Sequence, residues 1–352
     1  MLLVNLYYYN IMITTKKISY SILELAFISE GTTVSETFKN SVNLAQKAEE
    51  LGYSRFWLAE HHNSISIASS ATAILIGHIA GGTKTIKVGS GGIMLPNHSS
   101  LIVAEQFGTL GALYPNRIDL GLGRAPGTDQ LTAHAIRSDR MQAVNNFPGE
   151  VQQIQQYFST ENSYAQVRAT VAEGVEVPIY ILGSSTDSAH LAAKMGLPYA
   201  FASHFATSQL FEALAIYREE FQPSDFLAEP YVIACVNVIA ADTDEEAEEN
   251  FTSLIRMFLG VLTGKRDYLQ PPTAMTDELK SLLYNPSIRD MLKYSFAGSK
   301  ETVKQQTKNF LQQTGVNELM VVSNIHGHEN RVKSYSIFSE IMKELHEEIS
   351  NN

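Results

Sequence analysis

Histidines follow several short apolar runs of this sequence, at positions where a proton-transfer group could be placed. His61 lies in the string Glu60-His61-His62-Asn63 after one such run, and His204 follows another. Histidine titrates near neutral pH and can therefore give or take a proton in a reaction. A single histidine at such a position is more often structural, but several at the ends of neighbouring strands favour a functional site.

The turn Gly183-Ser184-Ser185 opens a helical pattern and has the composition of an anion-binding site. Small residues let backbone N–H groups approach a phosphate, and the N-terminus of a helix adds a partial positive charge. Arg124 follows a neighbouring apolar run, and its guanidinium could bind two phosphate oxygens. Turns of this composition are usually only helix caps, so the phosphate interpretation depends on the arginine.

Familiar catalytic and nucleotide-binding motifs are not found in the sequence. The glycines between Gly121 and Gly127 have one residue too many for the dinucleotide fingerprint G-x-G-x-x-G, and the P-loop, H-E-x-x-H, C-x-x-C and G-x-S-x-G patterns do not occur. His326-Gly327-His328 could be a metal-binding pair, but further carboxylate ligands are not evident. We therefore predict no metal, and a metal-dependent hydrolase is the weakest of the alternatives.

The composition excludes several classes of protein. The chain has 352 residues and a formal net charge of −11, which argues against nucleic acid as a partner because that needs clustered basic residues. Its single cysteine, Cys235, cannot form an intrachain disulfide, which fits a reducing compartment. Residues 1–17 resemble neither a secretory signal nor a membrane span, because the lysines follow the apolar stretch and asparagines interrupt it. We expect a cytoplasmic protein with no membrane partner, an N-terminal extension over 1–17, and Met12 as an alternative start.

Short β-type runs alternate with longer helical patterns along the chain, which is typical of βα units around a parallel sheet. The predicted strands are 18–24, 53–59, 86–91, 117–122, 178–182, 199–203, 231–239 and 318–323. Thr33 and Glu36 form a capping box before the first helix, and Gly52 ends that helix. Eight such strands predict an α/β fold of the closed (β/α)₈ TIM-barrel class, as a single domain over 18–352.

Two predicted connections are too long for a simple βα unit. Residues 123–177, after the fourth strand, contain a predicted helix near 139–158, and residues 240–317, after the seventh, contain two helical segments around Gln270-Pro271-Pro272. Insertions of this length are usually functional lids or extra subdomains.

The stretch from Phe56 to Asp129 resembles the bacterial luciferase-like flavin-dependent monooxygenases. The similarity is carried by FWLAEHHN, ATAILIGHIA, VGSGGIMLPNHSSLIVAEQFGTL and RIDLGLGRAPGTDQ, and it continues through PIYILGSS, LPYAFASHF and PYVIACVNVIAADT. The sequence is most similar to the single-subunit, alkanal monooxygenase-like branch of that family. Since members of the family are (β/α)₈ barrels, the resemblance implies the same fold as the strand count.

The resemblance implies that FMN binds at the C-terminal mouth of the barrel. His61 matches the histidine that lies beside the reactive edge of the flavin and assists proton transfer, so we predict it to be catalytic. The Gly91-Gly92 bond matches a position where the family often has a non-proline cis peptide beneath the flavin ring. Gly123 stands where light-emitting members carry a cysteine, which argues against light emission.

The cofactor phosphate has its own predicted residues. Arg124 and Ser184 match residues that hold this phosphate in the family, with Gly183 and Ser185 in the same turn. The weaker candidates are the backbone of Pro126 and the polar tips of Asp187 and Ser188.

The resemblance implies a monooxygenase in which reduced FMN and O₂ form a peroxyflavin that oxidises a small organic substrate. Two alternatives keep the barrel: hydride transfer through FMN or a deazaflavin without oxygen insertion, and a flavin-binding protein that lacks turnover. Because no nicotinamide fingerprint is present, we expect a separate reductase to supply the reduced flavin as a transient partner.

The remaining two predictions concern the apolar helix near 68–82 and the second insertion. The helix is apolar on almost all sides and corresponds to the dimer interface of the family, so we expect a homodimer. We further expect residues 261–296 to close over the site as a lid.

Overall fold

The structure is a computed structural model and describes residues 17–125 and 127–350. Eight parallel strands form a closed ring in the order β1-β2-β3-β5-β6-β7-β8-β10, with β10 returning to β1. The ring strands are β1 (Ser19–Glu24), β2 (Arg55–Leu58), β3 (Lys87–Ser90), β5 (Ile118–Gly123), β6 (Ile179–Gly183), β7 (Tyr199–Phe201), β8 (Val232–Ala240) and β10 (Glu318–Val322). Each lies within two residues of a predicted strand, so the predicted (β/α)₈ barrel is confirmed.

Two further strands were not predicted. The two-residue strand β4 (Ile93–Met94) pairs with the end of β5, and β9 (Ser295–Gly298) pairs in parallel with the second half of β8. β8 is nine residues long, so it extends past the ring and carries β9 on its projecting half.

Helices surround the ring and fill both insertions. Their bounds are α1 (Val34–Leu51), α2 (Thr72–Gly82), α3 (Ser100–Leu113), α4 (Gln130–Ile136), α5 (Arg140–Asn145), α6 (Phe147–Phe158), α7 (Thr186–Met195), α8 (Leu210–Glu220), α9 (Asp244–Thr263), α10 (Asp277–Leu282), α11 (Pro286–Leu292), α12 (Lys300–Thr314) and α13 (His328–Ser350). The capping box of Thr33 and Glu36 is present at the start of α1, and Gly52 ends that helix with a left-handed φ of 88°.

The insertions differ from their predicted form. The helix predicted near 139–158 is two helices, α5 and α6, because the chain leaves helical geometry at Asn146 and Pro148 then starts a new first turn. The second insertion holds four helices, α9 to α12, together with β9, where we predicted two helical segments. The helix predicted near 68–82 begins only at Thr72.

The two faces of the strands form separate cores. Side chains inside the ring, such as Leu23, Trp57 and Met320, form one buried cluster, while alternate residues such as Ile22 and Phe56 pack against the helices. Cys235 is a buried free thiol in the inner cluster, and burial raises its pKa.

A buried ionic network closes the N-terminal end of the ring. Arg55 donates to Asp119 (2.7 Å) and to Glu318 (2.8 Å), and Tyr180 accepts a further hydrogen bond from the same guanidinium (2.8 Å). These residues begin or lie near the start of their strands. A ligand can therefore enter the ring only from the opposite end, where the strands terminate.

Residues 1–16 of the predicted N-terminal extension lie outside the residues that the structure describes. None of the described helices is long and apolar enough to cross a membrane.

Candidate active site

Several cavities open at the C-terminal ends of the strands, and two of them together contain the predicted catalytic histidine and the predicted phosphate-binding arginine. The first has a volume of about 370 Å³ and is lined by His61, His204 and Asn324, each of which follows a ring strand, together with residues of the second insertion. The second has a volume of about 240 Å³ and is lined by Arg124, Leu182 and the beginning of α7. Barrel enzymes place their chemistry at this end, so both cavities are candidates for the active site.

His61 borders the first cavity and is held by backbone contacts. Its N–H donates to the carbonyl of Ser69 (3.1 Å), and its Nδ1 lies 3.2 Å from the carbonyl oxygen of Gly127. Burial lowers the pKa of His61 below its usual value, and the nearby positive charge of Arg266 lowers it further. The imidazole is therefore neutral at pH 7, with one ring nitrogen able to accept a proton.

Glu60 is a fully buried carboxylate that organises the loop carrying His61. It accepts hydrogen bonds from His62 Nε2 (2.8 Å), His98 Nε2 (2.9 Å) and the backbone N–H of Met94 (3.0 Å). Burial alone would raise its pKa, but these hydrogen bonds lower the pKa to about 2. Glu60 is thus ionised, and it ties the end of β2 to the segment around β4.

His204 and Asn324 place polar atoms without partners at the same cavity. Within the described part of the chain, His204 Nδ1 and Asn324 Oδ1 are buried and have no hydrogen-bond partner. Burial lowers the pKa of His204 to about 3, with a further contribution from His61, so its imidazole is also neutral. Buried polar atoms without partners are uncommon in native proteins, and a bound ligand is one way to satisfy them.

The Gly91–Gly92 peptide bond is cis, as the resemblance implied. A Cβ atom at Gly91 would lie 2.7 Å from Leu23 Cδ1, and one at Gly92 would lie 2.7 Å from the carbonyl oxygen of Gly121 and 2.9 Å from Leu182 Cδ2. The backbone oxygen of Gly121 cannot move aside, so position 92 requires glycine, whereas the end of the Leu23 side chain at position 91 can shift. Leu182 also lines the second cavity, so Gly92 lies close to that cavity.

The second cavity has features of an anion-binding site. Arg124 Nη2 donates to Asp187 Oδ2 (3.0 Å), but both side chains are exposed, so this ion pair is weak and easily replaced. Ser185 is the N-cap of α7, yet its side chain makes no capping hydrogen bond. Ser188 instead bonds the carbonyl of Ser185 (2.7 Å). The first N–H groups of α7 thus remain without a side-chain cap beside an arginine.

The structure groups the predicted site residues by cavity. Arg124, Asp187 and Ser188 line the second cavity, and Ser185 caps the helix beside it. Gly183 ends β6, where a Cβ would clash with Ser188, and Ser184 follows it. His61 lies apart from this group, in the first cavity.

Pro126, a weaker candidate for the phosphate site, lies outside the described residues. His326 and His328 have different partners, the carbonyl of Glu30 (3.1 Å) and Oδ1 of Asn43 (2.9 Å) respectively. Over residues 17–125 and 127–350, no group of three or more His, Cys, Asp or Glu side chains is arranged to hold a metal ion.

Sequence reasoning missed two features of this site. One is the role of Glu60 as a shared hydrogen-bond acceptor, which depends on bringing β4 beside β2. The other is the set of cations Arg256, Lys265 and Arg266, which the second insertion adds to the first cavity. Their only sequence signal was the length of the insertion, since nothing in their spacing shows which way the segment folds.

The predicted lid segment contributes directly to the first cavity. Val261, Tyr268 and Met291, all within residues 261–296, line it beside residues that follow the ring strands. The carbonyl of Leu269 also accepts from the N–H of Glu30 (2.9 Å), which fixes the segment to the loop after β1. The segment therefore forms part of the cavity wall, and its closure over the site as a lid stays a prediction.

The fold is thus a parallel barrel with a histidine-lined cavity and an arginine-containing cleft at the ends of its strands, where barrel enzymes place their chemistry. Comparison with known proteins identifies its family: residues 18–318 match the family model described as luciferase-like monooxygenase. A luciferase-like monooxygenase of Escherichia coli strain K12 is 45% identical over 332 residues, which cover 94% of this chain and 99% of that protein. The chain belongs to the luciferase-like monooxygenase family.

Two further similarities extend this assignment. The N-acetyl-S-alkylcysteine monooxygenase of Bacillus subtilis strain 168 is 34% identical over 330 residues, covering 92% of this chain and 98% of that protein. The crystal structure of apo-MsnO8 superposes with a TM-score of 0.84 at 34% identity, covering 93% of this chain and 98% of that chain. The similarity thus extends over almost the whole length of both proteins in each pair.

Proposed function

We propose that this protein is an FMN-dependent monooxygenase that uses reduced flavin and O₂ to oxidise a small organic substrate. The observation that carries the proposal is that Arg124 and the uncapped start of α7 meet in one cleft, at the same barrel end as the cavity of His61. A cleft with one arginine and one helix N-terminus suits a single phosphate group. Membership of the luciferase-like monooxygenase family supports the oxidative chemistry.

The residues present fit a flavin mononucleotide between the two cavities. Arg124, Ser184 and the first N–H groups of α7 would hold the phosphate, with Asp187 released from its exposed ion pair. Gly91 and Gly92 carry no side chain that could obstruct a flat ring placed against this backbone. When bound and reduced, the flavin supplies the activation of O₂.

The protein contributes proton transfer, orientation and exclusion of water. The neutral His61 can accept a proton at one ring nitrogen and return it at the reaction centre. Glu60 holds the loop that positions this imidazole. Apolar side chains such as Leu25, Phe27 and Met257 line the first cavity and exclude water from it.

Thioethers are the first substrates to examine. The relative named N-acetyl-S-alkylcysteine monooxygenase is 34% identical to this chain over nearly its full length. A screen of oxygen consumption with supplied reduced FMN should therefore cover sulfur compounds first, followed by aldehydes and ketones.

Hydride transfer through FMN or a deazaflavin is the alternative that the barrel also allows. Oxygen uptake in proportion to oxygenated product is expected for the monooxygenase. Reduction of an acceptor under anaerobic conditions, with no oxygen incorporated, would instead establish hydride transfer. A protein that binds FMN tightly but forms only peroxide would be a flavin-binding protein without turnover.

The proposal includes two protein partners and a location. A separate reductase supplies reduced FMN, and a second copy of the chain packs against α2, where Ile74 is 74% exposed although Leu75, Ile76 and Ile79 are buried. The reaction takes place in the cytoplasm, where reduced flavin and a free thiol such as that of Cys235 are both maintained.

A further inference from the structure

The first cavity is cationic in a strongly acidic protein. Its lining contains three basic side chains, Arg256, Lys265 and Arg266, and a single carboxylate, Asp267. The chain as a whole carries a formal net charge of −11. Excess charge of one sign around a cleft raises the local concentration of ligands of the opposite sign. The charge of this cavity is therefore opposite to that of the molecule and indicates an anionic ligand.

Arg256 projects from α9 and has only neutral partners among the described residues. Its Nη1 donates to the carbonyl of Pro271 (3.0 Å), and its Nη2 donates to Oε1 of Gln270 (3.3 Å). These contacts orient the guanidinium but leave its charge uncompensated. A half-buried cation beside apolar side chains is costly unless a counter-charge arrives. Arg256 is thus oriented before any ligand binds.

The turn after α9 brings Lys265 and Arg266 to the same cavity. Gly264 ends the helix with a left-handed φ of 71°, which reverses the chain. A Cβ at Gly260 would lie 2.9 Å from the carbonyl oxygen of Lys265, so the returning chain packs closely on the helix. Among the described residues, neither Lys265 nor Arg266 forms an ion pair with a carboxylate.

The rest of the lining mixes apolar side chains with neutral polar ones such as Ser66 and Thr128, and the histidines lie on its barrel side. Phe27, Ile67 and Met257 provide apolar lining, and His61 and Asn324 follow the ring strands. A ligand with a charged end and an apolar body would therefore place its body beside His61 while its charged end meets the insertion. A volume of about 370 Å³ limits it to a small molecule.

We propose that the substrate is a small organic carboxylate whose anionic group binds Arg256 and Arg266, with its apolar part held beside His61. This inference rests on the proposed function, because it names the substrate class of that site. The planar guanidinium fork favours a carboxylate, which it can bind through two hydrogen bonds. The phosphate of the flavin is assigned to Arg124, in the other cavity.

Calorimetric binding of heptanoate and of its neutral analogue heptanamide tests the proposal on the full-length protein. The two probes share one apolar chain and differ in charge at one end. We expect heptanoate to bind at least about ten-fold more tightly than heptanamide, since hydrogen bonds to charged groups are the stronger ones. In Arg266→Gln and in Arg256→Gln this preference should fall several-fold, with heptanamide affinity unchanged. Arg266→Lys keeps the charge and should retain most of the preference.

Arg289→Gln is the matched control, because Arg289 belongs to the same insertion and is exposed but does not line the cavity. The preference should be unchanged in this variant. Equal affinities of the wild-type protein for both probes, or no saturable binding of heptanoate, would overturn the proposal. The proposal would also be overturned if the double variant R256Q/R266Q still bound heptanoate more tightly than heptanamide by the wild-type factor.

Each titration is run with and without oxidised FMN, so that two failures can be distinguished. If FMN does not bind but the preference for heptanoate is present, the proposed function fails and the anion site stands. If Arg266→Gln weakens FMN binding and leaves the preference for heptanoate intact, Arg266 serves the flavin phosphate and the anion site is wrong.

Discussion

The protonation state of His61 is set by its immediate surroundings. Burial and the positive charge of Arg266 both favour the neutral imidazole, while Glu60 accepts hydrogen bonds from His62, His98 and the backbone N–H of Met94. Glu60 therefore positions the loop that carries His61 without a direct hydrogen bond to the imidazole. The proposed proton transfer is thus assigned to His61, and the positioning of its loop to Glu60.

Replacing His61 with alanine tests its proposed role in proton transfer. We expect His61→Ala to bind FMN with nearly wild-type affinity and to oxidise substrate about 10²–10⁴-fold more slowly, the usual contribution of a positioned acid or base. Oxygen uptake coupled to product formation measures the rate. His134→Ala is the control, because His134 is exposed and lines neither cavity. Unchanged turnover in His61→Ala would remove this residue from the mechanism.

The acid limb of the pH–rate profile should report the charge of Arg266. A nearby cation disfavours protonated histidine, so it lowers the pKa of His61, and removing the cation raises that pKa. The neutral, active imidazole of the wild-type protein should persist below the usual histidine pKa of about 6.5. In Arg266→Gln the fall in rate on acidification should begin at a higher pH. If the fall in rate began at a lower pH in Arg266→Gln than in the wild-type protein, Arg266 would not lie close enough to His61 to lower its pKa.

The candidate site could be predicted only where local sequence determines it. Arg124 and the turn at Gly183 could be proposed because each directly follows a recognisable strand. The unpartnered atoms of His204 and Asn324, and the cations from the second insertion, depend on how distant segments pack together. His204 could be named from the sequence because it follows a strand, but the missing hydrogen-bond partners and the direction of the insertion emerged only from the structure.

At the scale of elements, the glycine pair after β3 shows how closely the ring strands approach one another at the mouth of the barrel. At position 92 the nearest atom to an added Cβ is a backbone oxygen of β5, at 2.7 Å. Backbone cannot rotate away as a flexible side chain can. At position 91 the nearest atom is the end of the Leu23 side chain, which can move more easily.

Gly92→Ala should therefore lower the free energy of unfolding by about 1–3 kcal/mol, the usual cost of overpacking. Gly91→Ala should cost less. Urea unfolding measures both, with Gly327→Ala as the control, since the nearest atom to a Cβ at Gly327 lies 3.8 Å away. A Gly92→Ala protein as stable as the control would contradict this prediction, because it would mean that the backbone of β5 moves away from the added Cβ at little cost.

The strands could be predicted better than the helices, for a physical reason. Buried parallel strands are continuous apolar runs, which stand out from the more polar sequence around them. Each strand also pairs with neighbours that show the same pattern. The break between α5 and α6 depends on a single residue, Asn146, followed by Pro148 inside what looks like one periodic pattern. β9 exists only because β8 extends beyond the ring, which its sequence alone does not reveal.

At the scale of the whole molecule, surface charge and surface apolar groups have different consequences. A net charge of −11 keeps copies of the protein apart unless apolar contacts overcome the repulsion. Exposed Ile74 on α2 and Ile102 on the adjacent α3 offer such contacts. The hydrogen bond from Tyr114 to the carbonyl of Gly77 (3.2 Å) holds the C-terminal end of α3 against α2. These two helices are therefore the proposed dimer surface.

Sedimentation velocity tests the proposed dimer. The wild-type protein should sediment as a dimer at micromolar concentration, and Ile74→Glu should shift it to the monomer because the substitution places a charge in an apolar contact. Glu301→Gln, at an exposed position on α12 and outside the proposed surface, is the control and should leave the dimer intact. A monomeric wild-type protein would contradict the interface.

The most direct test of the central claim is the affinity of the protein for FMN, measured with the wild-type chain and with Arg124→Gln. Loss of the charged hydrogen bonds to the phosphate should weaken binding by about 10–100-fold, while riboflavin, which has no phosphate, should bind both proteins equally. We expect saturable wild-type binding that depends on Arg124. No saturable binding of FMN, or equal affinity in the two proteins, would contradict the account.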